Sequence, residues 1–188
     1  KDTDLTFQVD SSKVNLNKAG TYTVYYTAED SSGNKAKKTA TITVLPFEVS
    51  DDMLNEKVDK ILSKITKEGM TKREIAWEIY KWVKKNVSYT GTSDKSDWKK
   101  EAYRGIVNGL GDCFTYYAVS QALLTRAGID NMRVTRVGGR TEHYWNLINC
   151  GDGLYHFETC PNNEKLETFM LTDAEVEEYT KKRGNNYY

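Results

Sequence analysis

Apolar and polar positions alternate up to Pro46 and recur at helical spacing after it. Leu5, Phe7 and Val9 are separated by polar residues, while Gly20-Thr-Tyr-Thr-Val-Tyr-Tyr-Thr-Ala28 and Lys38-Thr-Ala-Thr-Ile-Thr-Val44 are rich in Thr, Val and Tyr. Between the last two, Asp30-Ser-Ser-Gly-Asn34 supplies Gly and Asn where a turn needs positive φ, so the pattern predicts strand, turn, strand. Beyond Pro46 the period changes. Leu54, Val58, Ile61 and Ile65 follow one helix face, with Gly69 as the stop. Thr71 and Glu74 form a capping box ahead of Ile75, Ile79, Trp82 and Val83. A third helix is expected over 97–108. A fourth begins near Cys113, carries Tyr117, Ser120, Gln121, Leu124 and Ala127 on one side, and ends at Gly128. Strands are expected over 132–137, 142–149 and 154–159, and a second capping box, Thr172 with Glu175, opens a last helix that Gly184 ends. Helices first and a small antiparallel sheet after them read as α+β.

Composition narrows the choice of partner. The 188 residues carry 27 basic and 27 acidic side chains, which removes the electrostatic reason to expect nucleic acid or an anionic membrane as the main partner. No apolar run approaches the roughly 20 residues needed to cross a bilayer, so no membrane insertion is expected. The chain starts at Lys1 without a charged-then-apolar leader, the expectation for an excised or processed segment. The basic stretch over 56–104 and the acidic one over 152–183 read as solvated helix faces. The 1–46 module, from Ala19 through the turn cluster to Val44, resembles the second half of bacterial surface immunoglobulin-like repeats. With three or four strands where such a domain has about seven, it reads as a partial copy. Residues 47–188 form the second domain.

The candidate chemistry begins at Cys113. Gly109-Leu-Gly-Asp-Cys113 places the thiol after a Gly-rich turn and in the first turn of a helix, where unpaired N–H groups and the helix dipole favour a thiolate. The bland alternative is a small buried residue at a helix start. Only His143 and His156 can serve as base. His143 shares a strand face with Trp145 and Leu147, which would partly desolvate and orient it. Glu158 is the acidic residue of the next strand. A hairpin centred between Cys150 and Gly151 makes His143 and Glu158 direct cross-strand neighbours about 5 Å apart, whereas an Asp152-Gly153 turn, favoured by turn chemistry, separates them. His156 lies on the face of Glu158 but one strand step of two residues, about 7 Å, away from it. Three cysteines leave one unpaired, and a Cys150–Cys160 bridge is awkward within one hairpin, so Cys150 and Cys160 read as single thiols. Without short ligand spacing, no metal site is expected.

Gly109-Leu-Gly-Asp-Cys113-Phe-Thr-Tyr-Tyr-Ala118, Leu123-Leu-Thr-Arg-Ala-Gly-Ile129, His143-Tyr-Trp-Asn146 and Tyr155-His-Phe-Glu-Thr-Cys-Pro161 together resemble the core of the transglutaminase-like superfamily, over roughly 52–162. The resemblance implies a papain-like core with a Cys-His-Asp triad and an acyl-enzyme. Cys113 is then the nucleophile, His143 the base and acid, and Glu158 stands where the family usually has Asp. It also implies an oxyanion hole, with the Cys113 N–H as the first donor and Tyr89 or Trp98 as an upstream one. Tyr144 and Trp145 suggest a groove with apolar walls. The expected chemistry is attack of the thiolate on a carboxamide or peptide carbonyl of a peptide or protein substrate, without a cofactor. Water as acceptor makes a peptidase or amidase, the reading favoured by the compact core and the lack of a D-x-D-x-D-G calcium loop. An amine as acceptor makes a crosslinker. The rival class is a cell-surface binding module whose triad no longer turns over, favoured by Glu158 alone. A third reading, a stable covalent bond to a partner, has no specific support. The immunoglobulin-like resemblance implies an extracellular, bacterial surface location with cell-wall or surface proteins as partners.

Overall fold

The computed structural model describes residues 4–16, 18–138, 141–162 and 167–182, and the chain divides into two compact units, Lys1–Glu48 and Val49–Tyr188. In the first, β1 (Leu5–Asp10), β2 (Gly20–Asp30) and β3 (Lys35–Val44) form an antiparallel sheet in that order. Asp30 closes the β2–β3 turn by accepting the Ser32 and Asn34 N–H groups at 3.0 and 2.8 Å, while Gly33 takes the left-handed conformation that the turn requires.

The second unit is built around one buried helix. Helix α1 (Asp51–Ile65) buries Leu54, Val58, Ile61 and Leu62. It stops at Ile65 instead of Gly69, because the amide and hydroxyl of Thr66 both close onto the Leu62 carbonyl and the chain turns extended there. Helix α2 (Lys72–Asn86) starts at the Thr71/Glu74 capping box and buries Ala76, Ile79, Tyr80 and Val83. The two-residue strands β4 (Ser88–Tyr89) and β5 (Leu110–Gly111) pair in parallel and flank α3 (Trp98–Asn108), which Asp97 caps. Helix α4 (Cys113–Arg126) was expected to bury one side. Instead it is buried from Cys113 through Ser120 and again at Ala122, Leu123 and Leu124, because α1, α2 and α3 and the sheet all pack on it.

The sheet runs β6 (Asp130–Thr135), β7 (Tyr144–Asn149), β8 (Leu154–Phe157) and β9 (Phe169–Leu171), antiparallel throughout. Three residues are too few to show a period, which is why β9 was not foreseen. The Thr172/Glu175 capping box opens α5 (Asp173–Lys182), and the stop expected at Gly184 lies outside the described residues. Helices packed on a small antiparallel sheet make the unit α+β, as its pattern predicts.

Candidate active site

Cys113 is the first residue of α4, so its N–H belongs to the turn whose donors lack intrahelical acceptors. Asp112 caps the helix by accepting the Phe114 N–H at 2.9 Å, and Thr115 Oγ1 accepts the Asp112 N–H at 3.2 Å. The loop before it must be glycine at two points. A Cβ on Gly111 would stand 1.9 Å from Thr115 Oγ1, and Gly109 closes α3 in the left-handed region with Asn86 O 2.8 Å from where its Cβ would be. Thr115 donates to Glu101, a fully buried carboxylate that also receives the Asp94 N–H at 3.0 Å and Arg104 Nε at 2.8 Å. A buried acid thereby locks the start of the cysteine helix. Sequence reading missed Glu101, although its Arg104 partner three residues on was a visible helical pair.

His143 lies just ahead of β7, with its carbonyl held by the Arg136 N–H at 3.0 Å. Its Nε2 is hydrogen-bonded to Glu158 Oε1, and the Cys113 thiol is its second side-chain partner. The thiol also lies 3.8 Å from the Glu142 carbonyl. Burial, the largest influence on His143, works to lower its pKa, but the hydrogen bonds and charges of Cys113 and Glu158 outweigh it and raise the value to about 9.

The pair meets by a route neither expected register allows. Asn149 pairs with Leu154 and Asn146 with Phe157, so the hairpin closes through a four-residue loop, Cys150 to Gly153. Gly151 and Gly153 both have positive φ, and Asn149 Oδ1 accepts the Gly151 N–H at 2.7 Å, which makes the whole segment the turn. Extending this ladder sets Glu158 opposite Trp145, with His143 on the diagonal, a span that a long carboxylate side chain can cross. Glu158 is 1% exposed. Its N–H donates to Thr168 O at 3.1 Å and its carbonyl accepts from Thr168 Oγ1 at 2.5 Å.

The other candidates separate clearly. His156 is held between Trp145 Nε1–H of β7, which donates to its Nδ1 at 2.8 Å, and Asp173 of α5, 2.9 Å from its Nε2, so both ring nitrogens are engaged away from the thiol. Tyr89 pairs with Gly111 in the loop before Cys113, and burial, followed by the nearby Cys113, raises its pKa. Its ring is thus in the field of the thiol while the residue stays 55% exposed. Trp98 is placed elsewhere. At the start of α3 it borders a cavity with Leu54, Ala122, Thr125 and Arg126, at the opposite end of α4 from Cys113, because α3 and α4 run antiparallel from the tight Gly109–Asp112 connection. Tyr144 and Trp145 are both buried. Tyr144 packs edge-on against Phe114 and donates to Glu142 at 2.6 Å, while Trp145 lies 5.5 Å from the His143 ring and borders a cavity of about 360 Å³ with His156, Asp173 and Val176. All three cysteines are thiols. Cys160 is buried, and burial followed by the charges of Glu158 and Cys113 pushes its pKa far up.

A thiol on a helix N-terminus, an imidazole from the strand side and a buried carboxylate beyond it define the class of thiol–imidazole–carboxylate sites. Residues 59–159 match the family model of the transglutaminase-like superfamily, more than half of the sequence, and the chain belongs to that superfamily. Residues 1–44 match the model for the bacterial surface protein Ig-like domain. A solved structure from Cytophaga hutchinsonii, provisionally assigned as a cysteine protease, is similar at 14% identity and a TM-score of 0.47. The match covers 85% of this chain and 65% of that one, so this chain spans less than two thirds of its length. No curated protein matches significantly. Among the described residues no helix is long and apolar enough to cross a membrane.

Proposed function

We propose that the second unit is a cysteine hydrolase of peptide or carboxamide bonds, acting through Cys113, His143 and Glu158. The observation that carries this reading is the His143 imidazole engaged at once by the Cys113 thiol and the buried Glu158 carboxylate. An imidazolium that persists to about pH 9 retains the proton that the thiol gives up. The thiolate adds to the carbonyl carbon, and the oxyanion develops beside the Cys113 N–H, with the Tyr89 hydroxyl as the second donor. His143 then protonates the departing amine, leaving a thioester, and as the neutral base activates a water that releases the acid. Glu158 orients the ring throughout. Its contact with His143 supports the enzyme over the silent surface module, for which its replacement of Asp was the sole argument. The Ig-like match supports work at the bacterial surface.

The test is the rate of Cys113 alkylation by iodoacetamide across about pH 4–9, in the wild type and in His143→Ala and His156→Ala. A reactive plateau below neutral pH that His143→Ala abolishes and His156→Ala preserves is expected. Reactivity that rises only near pH 8.5, as for an ordinary thiol, and ignores both changes would refute the reading.

A further inference from the structure

Glu158 stands just past the end of β8, where the β8–β9 register shifts between His156 and Phe157. There Thr168 faces it in the register of the Phe157–Phe169 pair and holds its backbone through the two bonds on either side of the Glu158 residue. Thr168 is itself held from another element. Its N–H donates to Tyr80 Oη at 3.0 Å, and the same hydroxyl lies 3.3 Å from Thr168 Oγ1. Because the Thr168 hydroxyl hydrogen is committed to the Glu158 carbonyl, the Tyr80 hydroxyl donates to Oγ1 while accepting from the N–H, and both hydroxyls of this relay are engaged as donor and acceptor. Tyr80, Thr168 and Glu158 are all buried, so this network sits where hydrogen bonds are strong and lost ones are costly. The Tyr80 ring is gripped by Trp77, Phe157 and Phe169 at centroid distances of 5.4, 5.7 and 5.5 Å, which fixes its hydroxyl.

We propose that Tyr80 is a positioning residue for the Cys113–His143–Glu158 site, its hydroxyl setting Thr168 and so aiming the Glu158 carboxylate at His143 across the strand diagonal. The inference rests on the function proposed above. It assigns to helix α2, 88 residues in sequence from Thr168, a role in the chemistry beyond its place in the core.

The test is an NMR titration of the His143 imidazole in the full chain, which holds only two histidines, so His156→Gln assigns the signals by difference. Tyr80→Phe, Thr168→Val and Thr168→Ser are compared with the wild type. The Cys113 thiol, the Glu158 carboxylate and the neighbouring Glu142–Lys95 pair are the same in every variant, as is Lys84, whose ammonium lies 5.2 Å from the Tyr80 ring. A shifted midpoint thus reports geometry. Tyr80→Phe and Thr168→Val are expected to lower the His143 midpoint by at least about one pH unit, a tenfold change in proton affinity, and Thr168→Ser to restore it. A midpoint unmoved in Tyr80→Phe and Thr168→Val, whatever stability they lose, would make both residues core packing only and overturn the proposal. A wild-type midpoint at the ordinary value of about 6.5 would overturn the triad reading itself, and this proposal with it.

Discussion

In the proposed mechanism Glu158 orients His143, and its length matters there as much as its charge. On the diagonal from His143, a carboxylate one methylene shorter retracts by about 1.5 Å. Glu158→Asp, although it restores the residue usual in the family, is therefore expected to lower kcat/KM roughly ten- to hundredfold, the range for a small misplacement of a catalytic group. Glu158→Gln keeps the length and removes the charge. The sign of its pH effect follows from His143, whose pKa in the folded chain is raised to about 9, with burial opposing and Cys113 and Glu158 prevailing. The proposed mechanism needs the imidazolium, so activity is expected below about pH 9 and lost as pH rises through that value. In Glu158→Gln the upper limb of the pH–rate profile moves down toward about 6.5. A wild-type profile in Glu158→Gln would count against an orienting role.

Among the elements, α4 is held at its start by side chains from α3. Glu101→Ala leaves Arg104 with the Thr92 carbonyl but no carboxylate and releases the Thr115 side chain that closes the cap, breaking a pair whose acid is fully buried. Because Arg104 keeps a third of its side chain in solvent, the loss belongs at the low end for buried pairs, about 3 kcal/mol, read from the urea midpoint. Gly111→Ala drives a Cβ into Thr115 and is expected to cost about 1–3 kcal/mol while also slowing Cys113 alkylation, since the loop that delivers the thiol must move. The need for glycine there was legible in Gly109-Leu-Gly111, and so were the helix start at Cys113 and the capping boxes, because such signals are local. The hairpin register was not. Asn149-Cys-Gly-Asp-Gly153 offers several turns, and what selects the four-residue loop is the positive φ of both glycines together with the Asn149 side chain. Of the two registers the sequence leaves open, one sets His143 directly opposite Glu158 and the other parts them, whereas side-chain reach on a diagonal brings them together. Thr168 was invisible for a related cause, since its contacts with Glu158 lie beyond the regular ladder and leave no period in the sequence.

At the scale of the whole molecule the two units differ in how much core each owns. The main apolar cluster is drawn entirely from residues after Glu48, with α4 at its centre. In the first unit Val24 is the only side chain fully buried among the described residues, and Leu5, Phe7, Val9, Tyr26 and Ile42, which the register sets on one face of the sheet, are all exposed. A three-stranded sheet that fully buries one side chain of its own gains little to offset the conformational entropy of ordering it, whereas α4 is enclosed by helices and sheet alike. Thermal unfolding is therefore expected in two steps, the β-rich unit melting first and the α+β unit at a higher temperature, with differential scanning calorimetry and near-ultraviolet circular dichroism separating them. The site belongs wholly to the more stable unit, so Cys113 should keep its His143-dependent alkylation after the first transition and lose it in the second. A single cooperative transition, with Cys113 losing its reactivity at the same temperature as the sheet, would show instead that the chain folds as one unit and that the three-stranded sheet supports the site.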